Sequence, residues 1–162
     1  SVFVHVFNLR WVILFSERQA VFDWAGYTYS LVVLGAVCCC DVARIFKQEG
    51  LDGFEGFSLG NYVCTAYWES KFKTHKVRSA DTGKDYGIFQ INSFKWCEDG
   101  TPGGKNLCKM PCSDLLQDDL KASVKCAKLI VKTEGLKSWD TWDSYCKGRK
   151  MSRWVKGCEE RY

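Results

Sequence analysis

The sequence predicts an α+β fold, on three observations. Runs with helical periodicity lie on both sides of a single segment that reads as a β-hairpin, so helices and strands are segregated along the chain. Ten cysteines in 162 residues far exceed cytosolic usage and read as a disulfide framework made in an oxidising compartment, hence as secretion. With 46% hydrophobic residues and two prolines, the chain can bury one core, with an extension at one end.

That extension is residues 1–37, apolar and aromatic, set apart as a signal-like or artefactual segment from a domain at 38–162. Leu31-Val32-Val33-Leu34-Gly35-Ala36 is too short to span a bilayer but suits the apolar part of a secretory signal, with small residues at Gly35 and Ala36 and a mature start near Val37. The run from Val2 to Phe15 is interrupted by His5, Asn8 and Arg10 and reads as an artefact or fragment rather than a membrane helix, so no stable membrane association is expected.

A first helix is expected over Asp41–Gln48, with Val42, Ile45 and Phe46 on one side and Gly50 capping its end. A second begins at a Ser58 N-cap; Leu59, Tyr62, Val63, Ala66 and Tyr67 recur at helical spacing and carry Glu69 into the last turn. Lys76 to Ile91, broken by Asp81-Thr82-Gly83, reads as a hairpin continuing into further sheet, with Asp85 on a strand beside the turn. A cysteine-rich loop follows from Trp96 to Cys112. Asp118 and Asp119 then open a helix holding Leu120, Val124, Ala127, Ile130 and Val131, with lysines towards its end as the helix dipole favours. Shorter helices are expected over Ser138–Tyr145 and Met151–Val155.

Two carboxylates stand out among 19 acidic residues because their settings differ. Glu69 follows Tyr67 and Trp68 at a helix C-terminus, where burial and the negative end of the dipole favour the protonated form. Asp85 sits beside Lys84, with Gln90 and Asn92 further on, and is expected to stay ionised. One acid and one carboxylate are what glycosidic cleavage requires.

Tyr67-Trp68-Glu69-Ser70, Asp85-Tyr86-Gly87-Ile88-Phe89-Gln90-Ile91-Asn92-Ser93 and Trp96-Cys97 occur in that order, followed by Asn106-Leu107-Cys108, Cys126-Ala127-Lys128 and Gly157-Cys158. Together they resemble the chicken-type (c-type) lysozyme family, glycoside hydrolase family 22, from about Cys40 to Cys158. The resemblance implies the lysozyme fold, a helical lobe and a small antiparallel β lobe with a cleft between them. It pairs Cys40 with Cys158, Cys64 with Cys146, Cys97 with Cys112, and Cys108 with Cys126. Cys38 and Cys39 have no counterparts and are left as thiols, alternative partners of Cys158, or residues outside the mature protein.

It further implies Glu69 as proton donor and Asp85 as nucleophile or electrostatic stabiliser, with retention of configuration. Carboxyl groups about 5 Å apart go with that outcome, lysozyme being the type case. Trp139 is implied to lie over the acid, and Gln90, Asn92, Trp96 and Ser138 to line the saccharide cleft. Lys95 departs from the aromatic many relatives carry there, which removes a stacking platform. Val77 and Arg78 on the first strand, and a shortened Lys132-Thr133-Glu134 loop, also alter the cleft rim.

The implied activity is hydrolysis of β-1,4 bonds between N-acetylmuramic acid and N-acetylglucosamine in peptidoglycan by a secreted monomer. The partner that the resemblance implies is peptidoglycan or a chitin-like oligosaccharide. The alternative is a non-catalytic, carbohydrate-binding relative such as one serving sperm–egg recognition, against which the retention of both carboxylates argues. Some relatives bind calcium before the third helix, but Gln117, Ala122 and Ser123 replace three carboxylates of that pattern, so neither metal nor cofactor is expected. Zinc is disfavoured because Cys108 and Cys112 lack a second close pair. The net charge of +4 suits a soluble surface or attraction to an anionic wall, and no basic motif points to nucleic acid.

Overall fold

The computed structural model describes residues 20–22, 28–30 and 39–158. The chain divides into two units, Ser1–Leu34 and Gly35–Tyr162. In the first, strands β1 (Ala20–Phe22) and β2 (Thr28–Ser30) pair antiparallel, a hairpin within the segment set apart above. The signal-like run Leu31–Ala36, the run Val2–Phe15 and Cys38 lie outside the described residues. Among those described, no helix is long and apolar enough to cross a membrane.

The second unit holds helices α1 (Cys39–Gln48), α2 (Leu59–Ser70), α3 (Lys121–Glu134) and α4 (Asp140–Tyr145), with strands β3 (Val77–Ser79), β4 (Lys84–Tyr86) and β5 (Ile91–Asn92) between α2 and α3. Short 3-10 turns at Phe54–Gly56, Cys112–Leu116, Leu136–Ser138 and Met151–Trp154 link them. Helix α1 buries Val42, Ala43 and Phe46 and ends where Gly50 turns left-handed at φ 74°. There the Leu51 N–H donates to Phe46 O at 2.9 Å and the Gly50 N–H to Lys47 O at 3.0 Å, which satisfies two carbonyls the helix would otherwise orphan.

Helix α2 buries Leu59, Tyr62, Val63 and Ala66 as its periodicity leads one to expect, but also Gly60, Cys64, Thr65, Glu69 and Ser70, so it is covered nearly all round rather than along one face. Ser58 occupies the N-cap position, but its side chain does not cap. The Leu59 N–H donates instead to Asp52 Oδ1 at 3.0 Å, and Ser58 Oγ accepts from Asn61 Nδ2. At the other end Lys71 and Phe72 both take positive φ, so the chain leaves the helix immediately after Glu69 and Ser70. Helix α3 starts later than expected: Leu120, assigned to its interior, is a buried residue at the N-cap position with φ 60°. Only Asp119 serves the helix start, accepting the Lys121 N–H at 3.0 Å. Asp118 instead reaches back to Thr74 Oγ1 at 2.5 Å and His75 Nε2 at 3.2 Å, tying the turn after α2 to the head of α3.

In the sheet, ordered β3-β4-β5, Arg78 stands opposite Asp85, and Asp85 opposite Asn92. One continuous core joins sheet and helices. Ile88, Phe89 and Ile91 from the β region are buried with Phe46, Tyr62, Ile130 and Leu136, and the Phe46 and Phe89 rings stack at 5.1 Å. Each such side chain removed from water contributes about 1.5–3 kcal/mol. The bridges are Cys40–Cys158, Cys64–Cys146, Cys97–Cys112 and Cys108–Cys126, the same pairs that the resemblance implies. Cys39 Sγ donates to Trp154 O at 3.1 Å.

Candidate active site

A cavity of about 370 Å³ opens between the sheet and the helices, and Glu69, Asp85, Gln90, Asn92, Trp96, Ser138 and Trp139 all line it. The fold thus brings together every residue the sequence nominates for the site. Arg78, read from the sequence only as altering the cleft rim, proves to be a partner of Asp85, and Ile91, Ile130, Asp140 and Thr141 line the cavity without having been placed there by sequence reasoning.

Glu69 projects from the last turn of α2 and is 8% exposed. The aromatics that precede it are not its cover. Tyr67 packs on Phe72 and Trp154, and Trp68, itself 36% exposed, stacks on Tyr145 at 4.2 Å. Burial among the cleft walls pushes the Glu69 carboxyl above the usual range, and the Asp85 charge adds to the rise. Three groups oppose it: the Thr141 hydroxyl, which donates to Oε1 at 2.6 Å, the Arg78 guanidinium, and Lys76, whose Nζ donates to the Glu69 carbonyl at 2.6 Å. Thr141→Val removes the donated bond with little change of shape. The Glu69 proton is then held to higher pH, so the basic limb of the pH–activity profile is expected to move upward, read from kcat/KM between pH 4 and 9. A limb that stays in place would show that the hydroxyl does not act on the acid.

Asp85, 6% exposed on the central strand, accepts hydrogen bonds at both oxygens. Arg78 donates to Oδ2 from Nη2 at 2.8 Å and from Nε at 3.3 Å, and Asn92 Nδ2 donates to Oδ1 at 2.8 Å. The sheet register produces this row, since Arg78, Asp85 and Asn92 stand side by side across three strands. The carboxylate in turn holds the Arg78 guanidinium firmly charged. Glu69 and Asp85 therefore face one cavity from opposite lobes in opposite surroundings, one buried with a hydroxyl for company, the other met by a cation and an amide.

Gln90 stands at φ 50° in the turn before β5; its Nε2 donates to Gly87 O at 2.8 Å and Lys76 O at 3.1 Å. Its buried Oε1 has no protein partner among the described residues. Trp139 is buried, and its Nε1 donates to Phe89 O at 2.8 Å, which locks the helical wall to the strand side of the cleft. Ser138 Oγ donates to Glu134 Oε2 at 2.9 Å. Lys95, in place of a stacking aromatic, is held by partners on the helical side. Its Nζ pairs with Glu134 Oε1 and lies 4.9 Å from the centre of the Trp96 ring. The expected Lys132–Glu134 loop is the last turn of α3, stopped at Gly135 with φ 78°.

Lys95, hydrogen-bonded to Glu134, keeps that carboxyl below the ordinary range. His75 lies exposed in the turn after α2, where its Nε2 meets Asp118. Among the described residues, no group of three or more histidines, cysteines and acids is placed to hold a metal ion.

Arg78 was legible in principle. Counting back across the Asp81-Thr82-Gly83 turn places it opposite Asp85. Thr141 carries no local signal, since its contact with Glu69 spans 72 residues of sequence.

The model of the C-type lysozyme/alpha-lactalbumin family matches residues 36–158. Among curated proteins, a Lysozyme C of Pelodiscus sinensis is 50% identical over 124 residues, which is 74% of this chain and 95% of that relative.

Proposed function

The chain belongs to the C-type lysozyme/alpha-lactalbumin family, and from that premise we propose that it is a lysozyme. It cleaves the β-1,4 bond between N-acetylmuramic acid and N-acetylglucosamine in bacterial peptidoglycan, with retention of configuration, as a secreted monomer. The observation that carries the reading is the contrast at the two carboxyls: burial pushes Glu69 above the usual carboxyl range, while Asp85 accepts bonds at both oxygens.

Glu69 gives its proton to the glycosidic oxygen as the C1–O bond breaks, and the leaving sugar departs as an alcohol. Asp85 meets the positive charge developing at C1 and bonds to it, closing a glycosyl ester. Water then attacks C1 and passes a proton to the Glu69 carboxylate. The Asp85–C1 bond breaks, and both carboxyls return to their starting states. Trp96 and Trp139 supply apolar surface to the sugar faces, and Asn92, Ser138 and Gln90 polar edges.

The bridged cysteines support export, because such a framework persists in an oxidising compartment. The hydrolase is assigned to residues 38–162. A turbidity assay with the oxidised full chain on Gram-positive cell walls is expected to show clearing, with new reducing ends appearing in step. Walls that stay turbid and release no reducing ends would overturn the assignment.

A further inference from the structure

The ion pair between Arg78 and Asp85 sits where the chemistry would be hindered by it. Both donors of Arg78 fall on Asp85 Oδ2, and Asn92 holds Oδ1, so no oxygen of the nucleophile is unengaged. A guanidinium that stays there also stands beside a carbon acquiring positive charge, which like-charge repulsion disfavours. The two partners differ in freedom. The Asp85 side chain is 9% exposed and fixed in the sheet, whereas that of Arg78 is 56% exposed, on a flexible stem at the cavity edge.

We propose that Arg78 is a specificity-determining residue, one that occupies the Asp85 carboxylate until a saccharide bearing its own carboxylate near the scissile bond takes the guanidinium away. The inference rests on the hydrolase reading above. Its energetics are those of an exchange. Moving from one carboxylate to another preserves a charge-assisted bond for the guanidinium, so an anionic glycan frees Asp85 at little cost. A neutral oligomer offers no such partner, and Arg78 must either stay on the nucleophile or give up its ion pair to water. The charged groups bearing on the site are Lys76 and Arg78 from the sheet side, Asp85 itself, and Glu69 and Asp140 from the helical side. Asp140 and Glu69 carry no positive charge, and Lys76 is committed to the Glu69 carbonyl, which leaves Arg78 as the group facing an incoming anion.

The experiment compares wild type, Arg78→Gln and Arg78→Lys on a neutral chitin oligomer and on anionic cell-wall glycan, at one ionic strength and with melting temperatures recorded. For Arg78→Gln, kcat on the neutral oligomer is expected to rise by about 10-fold and kcat/KM on the wall glycan to fall by a similar factor, the size set by one charge-assisted bond. Arg78→Lys keeps the charge without the planar fork, and is expected to retain the preference for the anionic glycan while gaining on the neutral one. In Arg78→Gln the basic limb of the profile also moves to higher pH, because the guanidinium opposes burial at Glu69. Changes of the same sign on both substrates, or no change on either, overturn the inference while leaving the hydrolase reading intact. A wild type inert on both substrates overturns that reading, and the inference with it.

Discussion

Glu69→Gln is expected to cut hydrolysis by orders of magnitude while leaving the fold standing. The substitution deletes the proton donor while keeping nearly the same volume, and its amide oxygen can still accept the Thr141 hydroxyl that reaches Oε1 at 2.6 Å. Loss of a general acid lowers kcat by about 100- to 10,000-fold. Binding should survive, since the aromatic and amide lining is untouched, so the loss falls on kcat rather than KM.

The same change has a stability signature. The folded-state pKa of Glu69 lies above its ordinary value of 4.5, so the folded protein binds this proton more tightly than the unfolded chain does. Its contribution is then fully present below the ordinary value and is lost as pH rises through the folded-state pKa. Glutamine carries no charge to bury at any pH. The melting temperature of Glu69→Gln relative to wild type should therefore improve as pH rises from 4 towards neutrality. Product release at each pH together with thermal melts checks both parts. Undiminished wall lysis by the variant would remove Glu69 from the chemistry.

Gly87→Ala is expected to be among the most damaging single-atom additions in the chain. Gly87 has φ 73° in the turn between Asp85 and Gln90, and its N–H donates to Lys76 O at 2.8 Å. A Cβ there would stand 2.0 Å from the backbone oxygen of Leu115, which lies in the 3-10 turn packed beneath it. Neither backbone can swing aside as a flexible side chain would. Left-handed φ costs a non-glycine residue about 1–2 kcal/mol, and the steric displacement comes on top, for a total of about 4 kcal/mol or more.

Gly100→Ala supplies the control, because Gly100 has φ 84° with nothing within 4 Å of the added carbon and should show the backbone cost alone. Denaturant unfolding of the two variants isolates the clash as their difference. Activity of Gly87→Ala should fall too, since the shift is transmitted two residues along β4 to Asp85. Equal destabilisation of both variants would mean that Leu115 yields easily.

The elements legible in the sequence are those whose cause is local. Val42, Phe46, Tyr62, Val63 and Ala66 recur at the helical period, and Asp81-Thr82-Gly83 interrupts a strand pattern, so the helices and the hairpin follow from neighbours a few residues apart. The misreadings are also local. Ser58 has the chemistry of a cap, yet its hydroxyl is taken by the Asn61 side chain, and Asp52 meets the Leu59 N–H at the helix start. Leu120 fits the helical period, yet its burial is achieved one residue before the helix begins, in a left-handed turn. Tyr67 and Trp68 are the nearest aromatics to Glu69 in sequence and face other partners in space.

By itself the sequence determined the helices, the hairpin, the cysteine framework through family resemblance, and the identity of the two carboxylates. The helices and the hairpin are carried by residue type and short spacing, the cysteine pairs by the resemblance alone. Only the tertiary structure decided what surrounds those carboxylates. Thr141 meets Glu69 across 72 residues, Trp139 donates to Phe89 across 50, and Lys95 crosses to Glu134 across 39. Such contacts depend on the summed geometry of several elements packed on one core, and no periodicity in the chain encodes that sum. The protonation of the acid is set by burial and by partners of this kind, so it emerges only when the lobes close around the cleft.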